Sequence, residues 1–365
     1  MHNYKLQCRH SACSDNTCYI IPPHVLEHVA QNASTQSQRQ NARLALDHVY
    51  YAHDRREMAR VSTLLAGPAV AAALAPPTTH RAVYSCEGTQ NPHVRLERSE
   101  GGPASPDTDA NEAYDYTGIT WNFYWNILQR NSVDGAGLPM VSNVHLDATI
   151  QNAYWDGTQM FYCDPTPGVF NRFTISLDVI AHELTHGVTQ NTAALTYRSQ
   201  SGALNESISD VFGSMVKQWH LGQSAAQADW LIGAGLFVQV PGRNRVALRS
   251  MKAPGTAYDD LDIGKDPQPD HMKRYVTLPE TRQYDWGGVH VNSGIPNRAF
   301  YLTALALGGN SWDRAGPIWY YALTNSLKPN AQFTDMKAAT VQAAKHLYDT
   351  ATATIVRSSW SKVGV

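Results

Sequence analysis

His182-Glu183-Leu184-Thr185-His186 sets two imidazoles four residues apart with a carboxylate between them. On a helix, positions four apart share one face, so both rings can grip a single divalent ion. Glu183 then projects about a quarter turn round the helix, where it reaches a water beside the ion without being a ligand. Such a layout serves metal-assisted hydrolysis. A surface helix carrying two His and a Glu produces the same five-residue string, so the string alone decides nothing. A third donor stands in Gly202-Ala203-Leu204-Asn205-Glu206-Ser207-Ile208-Ser209-Asp210. There Glu206 follows His186 after nineteen intervening residues, in a stretch whose Leu204, Ile208 and Val211 have helical spacing. Two His and one Glu form a known zinc set that leaves a fourth position to water. Asp210, one turn beyond Glu206, is a candidate acceptor for the outer N–H of a ligating imidazole, its alternative being a helix-surface acid.

Further segments carry a resemblance. Asn152-Ala153-Tyr154-Trp155-Asp156-Gly157, Leu248-Arg249-Ser250-Met251 and Asp285-Trp286-Gly287-Gly288-Val289-His290-Val291-Asn292-Ser293-Gly294 stand with the zinc segments in one order along the chain. From about Val83 to Val365 the chain resembles the thermolysin-like metallopeptidases. Ile20-Ile21-Pro22-Pro23-His24-Val25-Leu26 is similar to the short pro-region of the protealysin branch.

The resemblance implies a zinc endopeptidase made as a precursor, cutting on the amino side of large hydrophobic residues, with its own leader as inhibitor until cleaved. It implies His182, His186 and Glu206 as zinc ligands and Glu183 as general base and acid. Tyr197 and His290 become donors to the developing oxyanion, with Asp285 orienting His290. Asn152, the Ala153 backbone and Trp155 match positions along an edge strand that holds extended peptide. Arg249 matches the residue that grips the carbonyl after the scissile bond, and Phe170, Phe173, Val179, Ile232 and Leu248 match a pocket for the apolar side chain there. Taken singly, each apolar residue also reads as core. Asp178 and Asp229 match calcium ligands, but Lys217, Leu231 and Ala234 replace acids expected with them. Calcium wants six to eight oxygens, so its presence is doubtful, and Lys217 is expected to supply charge beside Asp178 by a salt bridge.

Composition is consistent with this reading. At 365 residues with 43% hydrophobic content, the chain can form two ordinary domains and a smaller leader. The formal charge of −2 and the lack of any basic run give no reason to expect nucleic acid. No apolar stretch reaches the roughly 18–20 residues that span a bilayer. Residues 64–75 come nearest and are broken by Gly67-Pro68. A monomer acting on peptides and proteins is expected.

Residues 1–19 are polar and carry Cys8, Cys13 and Cys18, so they lack the apolar core of an ordinary signal peptide. Secretion by another route and a cytoplasmic life both stay open, as does a signal peptide starting at Met58. The three cysteines read as free or redox-sensitive thiols, a thiolate reaching the zinc being the sharper option. Cys86 and Cys163 read as buried small side chains rather than a bridge.

Pro22-Pro23 suits a helix start before 24–30, and 39–60 has few breakers. An Ala/Pro-rich linker over 67–79 follows. From 83 to about 171 the pattern predicts strands at 141–146, 152–155 and 159–162, with one helix at 109–130. Beyond Ser176 it predicts mostly helix, at 177–191, 202–220, 296–306, 316–326 and 333–348. The expected fold class is α+β, with a strand-rich N-terminal and a helical C-terminal subdomain, the zinc helix between them, and a short helical pro-region in front. The boundaries are 1–80, 81–191 and 192–365. Two other classes stay in view, a zinc aminopeptidase and a non-catalytic peptide binder. The aminopeptidase usually has one residue less before its third ligand, and a binder has no use for Glu183.

Overall fold

The structure, a computed structural model, describes residues 19–49, 77–165 and 167–365. The expectations for Cys8, Cys13, Cys18, Met58, most of the linker and the second half of the 39–60 helix lie outside these residues.

The leader begins with α1 (Pro23–Asn32), whose Pro at the first helical position has the fixed φ a helix start needs. Its Val25, Leu26 and Val29 are buried. A second helix, α2, covers 36–49.

Five strands then form one mixed sheet: β1 (Arg81–Ser85), β2 (Arg95–Ser99), β3 (Met140–Leu146), β4 (Ala153–Trp155) and β5 (Met160–Cys163), in the order β2-β1-β3-β5-β4. β3 runs parallel to β1 and β5, and β4 is antiparallel to β5 at an edge. Helix α3 (Thr108–Leu128) packs against β1 and β3. Asp107 caps it, accepting from Asp109 and Ala110 N–H, and also meets His145 of β3 at 2.6 Å. Asp164 meets the other ring nitrogen of His145 at 2.7 Å. These two acids outweigh burial and raise His145 to about 9, so the clamp carries a positive ring.

Helix α4 (Leu177–Gln190) is buried at every position, which sequence periodicity alone does not show. Its polar residues must therefore find partners or a ligand. It packs beside α5 (Ser199–Leu221). At Gly213 the approach is so close that a Cβ would lie 2.5 Å from the Asp178 carbonyl oxygen of α4.

Between Leu221 and Asp285 the chain is not helical: it forms β6 (Leu231–Ile232), β7 (Asn244–Arg245), β8 (Arg249–Ser250), β9 (Tyr258–Asp260) and β10 (Gly264–Lys265), with 3-10 turns. Gly233, Gly235, Gly242, Gly255 and Gly264 all take positive φ there, a conformation that ends helices. The helical part resumes with α6 (Asp285–Asn292), α7 (Gly294–Leu307), α8 (Ala315–Asn325), α9 (Phe333–Leu347) and α10 (Thr350–Lys362). The sequence reading missed α10, whose first turns hold Thr350, Thr352 and Thr354, β-branched residues of low helix propensity. An Asp349 cap and burial of Val356 and Trp360 hold it instead. The fold is α+β, strand-rich first and helical last.

Candidate metal centre and peptide cleft

His182 and His186 project from the buried α4 with rings 4.7 Å apart. His182 Nδ1 meets Asp210 Oδ1 at 2.8 Å, and His186 Nδ1 meets Asn205 Oδ1 at 2.8 Å. Each Nδ1–H therefore donates, and each Nε2 is left with a lone pair. The two Nε2 atoms lie 3.0 Å apart, and Glu206 oxygens stand 3.5 Å from each. Glu206 Oε2 is buried and has no hydrogen-bond partner among the described residues. Two lone pairs and a carboxylate converging in a dry pocket call for a cation. Burial pushes His182 down, but Asp210 and Glu206 outweigh it and hold the ring at about 9. Burial pushes Glu206 up, yet His290, His186 and His182 keep it well below the usual carboxylate range. The carboxylates that raise His182 would equally draw a divalent ion, which would take the Nε2 lone pair in the proton's place.

Glu183 sits on the same helix, and the Trp155 backbone N–H of β4 donates to its Oε2 at 3.1 Å. Across the cleft, Tyr197 hydroxyl donates to Glu206 Oε1 at 2.5 Å and lies 3.3 Å from His290 Nε2. Asp285 grips His290 twice, at Nδ1 (2.6 Å) and at its backbone N–H (2.8 Å). Asp285 and Trp286 take positive φ ahead of Gly287 and Gly288, a tight turn that folds the carboxylate back onto the ring. Burial lowers His290, but Asp285 and Glu206 outweigh it and hold the ring at about 9, so both its nitrogens donate. Arg249 makes a two-pronged pair with Asp210, both bonds 2.8 Å, and Asn297 Nδ2 donates to the same carboxylate.

The leader runs through this cleft. Tyr19 carbonyl accepts from His290 Nε2 at 3.0 Å. Ile20 N–H donates to Ala153 O at 3.2 Å, and Arg249 Nη1 reaches the Ile20 carbonyl at 3.4 Å. Ile21 N–H donates to Asn152 Oδ1 at 2.9 Å, and Asn152 Nδ2 donates back to the Ile21 carbonyl at 3.2 Å. Tyr19 lies against Tyr154, ring centroids 5.1 Å apart. Ile20 and Ile21 are fully buried in the cluster that includes Phe170, Phe173, Val179, Ile232 and Leu248. Ile232 pairs with Arg249 in the β6–β8 ribbon, so one ribbon carries both an apolar wall and the guanidinium.

Trp155 stands at the end of β4. Its indole N–H turns inward to Gln190 Oε1 at 3.3 Å, packed on Gly187, and what it offers the cleft is its backbone. At Asp178 and Asp229 stands the Lys217 ammonium, 2.8 Å from the first, 3.1 Å from the second and 2.7 Å from Leu231 O. Burial lowers Lys217, while both acids outweigh it and raise it. Sequence reasoning missed Asn205, Ser209 (3.0 Å from His186 Nδ1) and Asn297. Their only signal is a run of small polar residues on an otherwise apolar buried helix.

The model of the thermolysin metallopeptidase catalytic domain matches residues 31–190, and that of its alpha-helical domain matches 193–365. The chain belongs to the thermolysin metallopeptidase family. It is 49% identical over 353 residues to an extracellular metalloprotease of Pectobacterium carotovorum, covering 95% of this chain and 96% of the relative. It is 41% identical over 350 residues to protease PrtS of a Photorhabdus strain, covering 95% and 91%. The precursor of protealysin from Serratia proteamaculans superposes with a TM-score of 0.83 at 44% identity, covering 95% of this chain and 99% of that one. Like its thermolysin relatives, this chain is a zinc-dependent neutral metalloendopeptidase, and the His182, His186 and Glu206 cluster fits the zinc.

Proposed function

We propose that the protein is an exported endopeptidase, kept latent by its leader, that cuts on the amino side of large hydrophobic residues. One observation carries this: Tyr19-Ile20-Ile21 bonds to the very groups, His290, Ala153, Arg249 and Asn152, that would hold a substrate backbone. Extracellular relatives support export.

Held by the three ligands, zinc supplies Lewis acidity and brings the pKa of water down to about 7. Glu183, steadied by the Trp155 N–H, takes the proton of the attacking water and delivers it to the leaving nitrogen. Tyr197 and the doubly protonated His290 donate to the oxygen on which negative charge grows, and Asp285 keeps the ring aimed. Asn152 and Ala153 O lay the peptide along β4 as an added strand. Arg249 holds the next carbonyl through a fork already oriented by Asp210. Phe170, Phe173, Val179, Ile232 and Leu248 form the apolar pocket that selects the side chain after the cut.

An internally quenched peptide blocked at both ends tests this against the aminopeptidase and binding readings. Leader-free chain is expected to hydrolyse it, the full chain far more slowly, and leader-free Glu183→Ala at least 10²-fold more slowly than its parent. Equal turnover by full and trimmed chains removes the latency, and no hydrolysis by the trimmed, zinc-loaded chain removes the activity.

A further inference from the structure

We propose that the Tyr19–Ile20 bond of the leader is itself cut by this site in the same molecule, and that the leader from Ile20 onward stays docked. The inference rests on the endopeptidase reading above and adds to it a modification site within the chain.

Direction and register are the argument. Along the leader the partners come in the order His290, Ala153, Arg249, Asn152, each donor meeting an acceptor. A segment slipped by one residue would turn N–H toward N–H, because successive backbone groups alternate direction, and one lying backwards would present these groups in the opposite order. The carbonyl facing the His290 donor is that of Tyr19, so the bond beside it is Tyr19–Ile20. Ile20 is large, apolar and fully buried, the kind of residue the pocket is proposed to select. It also keeps the N–H that bonds to Ala153 O, which Pro22 and Pro23 lack.

Hydrolysis adds one water across this bond. Its oxygen and one hydrogen go to the Tyr19 carbonyl carbon, the carbon–nitrogen bond breaks, and Glu183 passes the other proton to the Ile20 nitrogen. No redox change is involved. The cut frees residues 1–19 as a separate peptide, which no covalent bond holds in the cleft and which leaves by dilution. That tail carries Cys8, Cys13 and Cys18. The new Ile20 amine keeps its bond to Ala153 O, while the rest of the leader holds elsewhere. His24 Nε2 meets Tyr258 hydroxyl at 3.0 Å, His28 Nε2 meets Leu261 O at 3.1 Å, and Gln38 Nε2 donates to Pro167 O at 3.1 Å.

Intact-mass and N-terminal analysis of the zinc-loaded full chain over time tests the proposal. The expected result is loss of residues 1–19 and a new N-terminus at Ile20, first order and independent of protein concentration. Glu183→Ala and Ile20→Pro chains are expected to stay whole, even with leader-free enzyme added. If the trimmed enzyme cuts the blocked peptide while the full chain keeps its Tyr19–Ile20 bond, this inference falls and the endopeptidase reading stands. If neither bond is cut, both fall. Cleavage of Glu183→Ala at Tyr19–Ile20 by added enzyme overturns the same-molecule claim. A chain prepared to begin at Ile20 is expected to keep the full chain's latency and its amide-exchange protection over 20–32, and loss of either refutes continued docking.

Discussion

Asp210 carries three obligations at once: it accepts from His182, from both prongs of Arg249 and from Asn297, with no exposed surface. Removing a partner that orients a ligating imidazole typically costs 10–100-fold in metal affinity. Asp210→Ala is therefore expected to weaken zinc binding by that factor in a competition titration against a chromophoric chelator. It also strands a buried guanidinium, which adds about 3–5 kcal/mol of destabilisation, readable in denaturant unfolding. Asn205→Ala removes a neutral acceptor and should show a smaller form of the first effect alone. At this scale His182, Glu183 and His186 were legible because their spacing is the helical period, and Asp210 because it stands in register with Glu206. Asn205, Ser209 and Asn297 were not, since neutral polar residues on helices usually face water. Nor was the grip of β4 on Glu183, because a backbone N–H leaves no mark in a sequence.

Between elements, the leader and the enzyme meet at His24. Burial lowers this ring to about 4, helped by His290 and Arg249 and opposed by Asp285, while Tyr258 of β9 meets its Nε2 and its Nδ1 has no hydrogen-bond partner among the described residues. The docked ring is thus neutral, whereas a free one takes a proton below about 6.5. As pH falls from 6.5 toward 4 the undocked leader binds more protons than the docked one, so docking weakens through that window and is at full strength above it. The shift amounts to on the order of 3 kcal/mol. Protection factors over 23–32, taken relative to intrinsic exchange at each pH, are expected to fall between pH 6.5 and 4.5, and much less so in His24→Gln. Lys217 joins α5 to Asp178 of α4 and to Leu231 of β6 in the same spirit. Lys217→Ala leaves Asp178 buried beside no cation and should cost about 3–5 kcal/mol in urea unfolding. Added calcium is expected to leave the parent's melting temperature unchanged, and a large rise would mean the ammonium does not replace the ion. Helices α3, α4, α5, α7, α8 and α9 and strands β3–β5 were legible from periodicity. The stretch from 222 to 284 was not, because its glycines and prolines specify turns without saying which short strands pair.

For the molecule as a whole, zinc joins α4 to α5 and binds only where both are folded. A ligand held to the native state alone at about 1,000 times its Kd adds roughly 4 kcal/mol of stability. Chelation of leader-free chain is expected to abolish hydrolysis and lower the melting temperature together, and added zinc to restore both in calorimetry and assay. Loss of activity with an unchanged melting temperature would place the ion elsewhere. Strand-rich and helical halves were readable from the change in hydrophobic period near Ser176. The leader's place in the cleft followed only from the resemblance of Ile20-Ile21-Pro22-Pro23 to a pro-region; as bare residues Tyr19, Ile20 and Ile21 look like any three apolar side chains.

At Gly213, two turns along α5 from Glu206, the rod carrying the carboxylate rests directly on the backbone of the rod carrying the rings. The jaw width of the metal clamp is thereby set by a missing methyl group about 10 Å away. Tolerance at that spot is nil for bulk of any polarity, so selection on the chemistry reaches a residue that meets neither ion, water nor peptide.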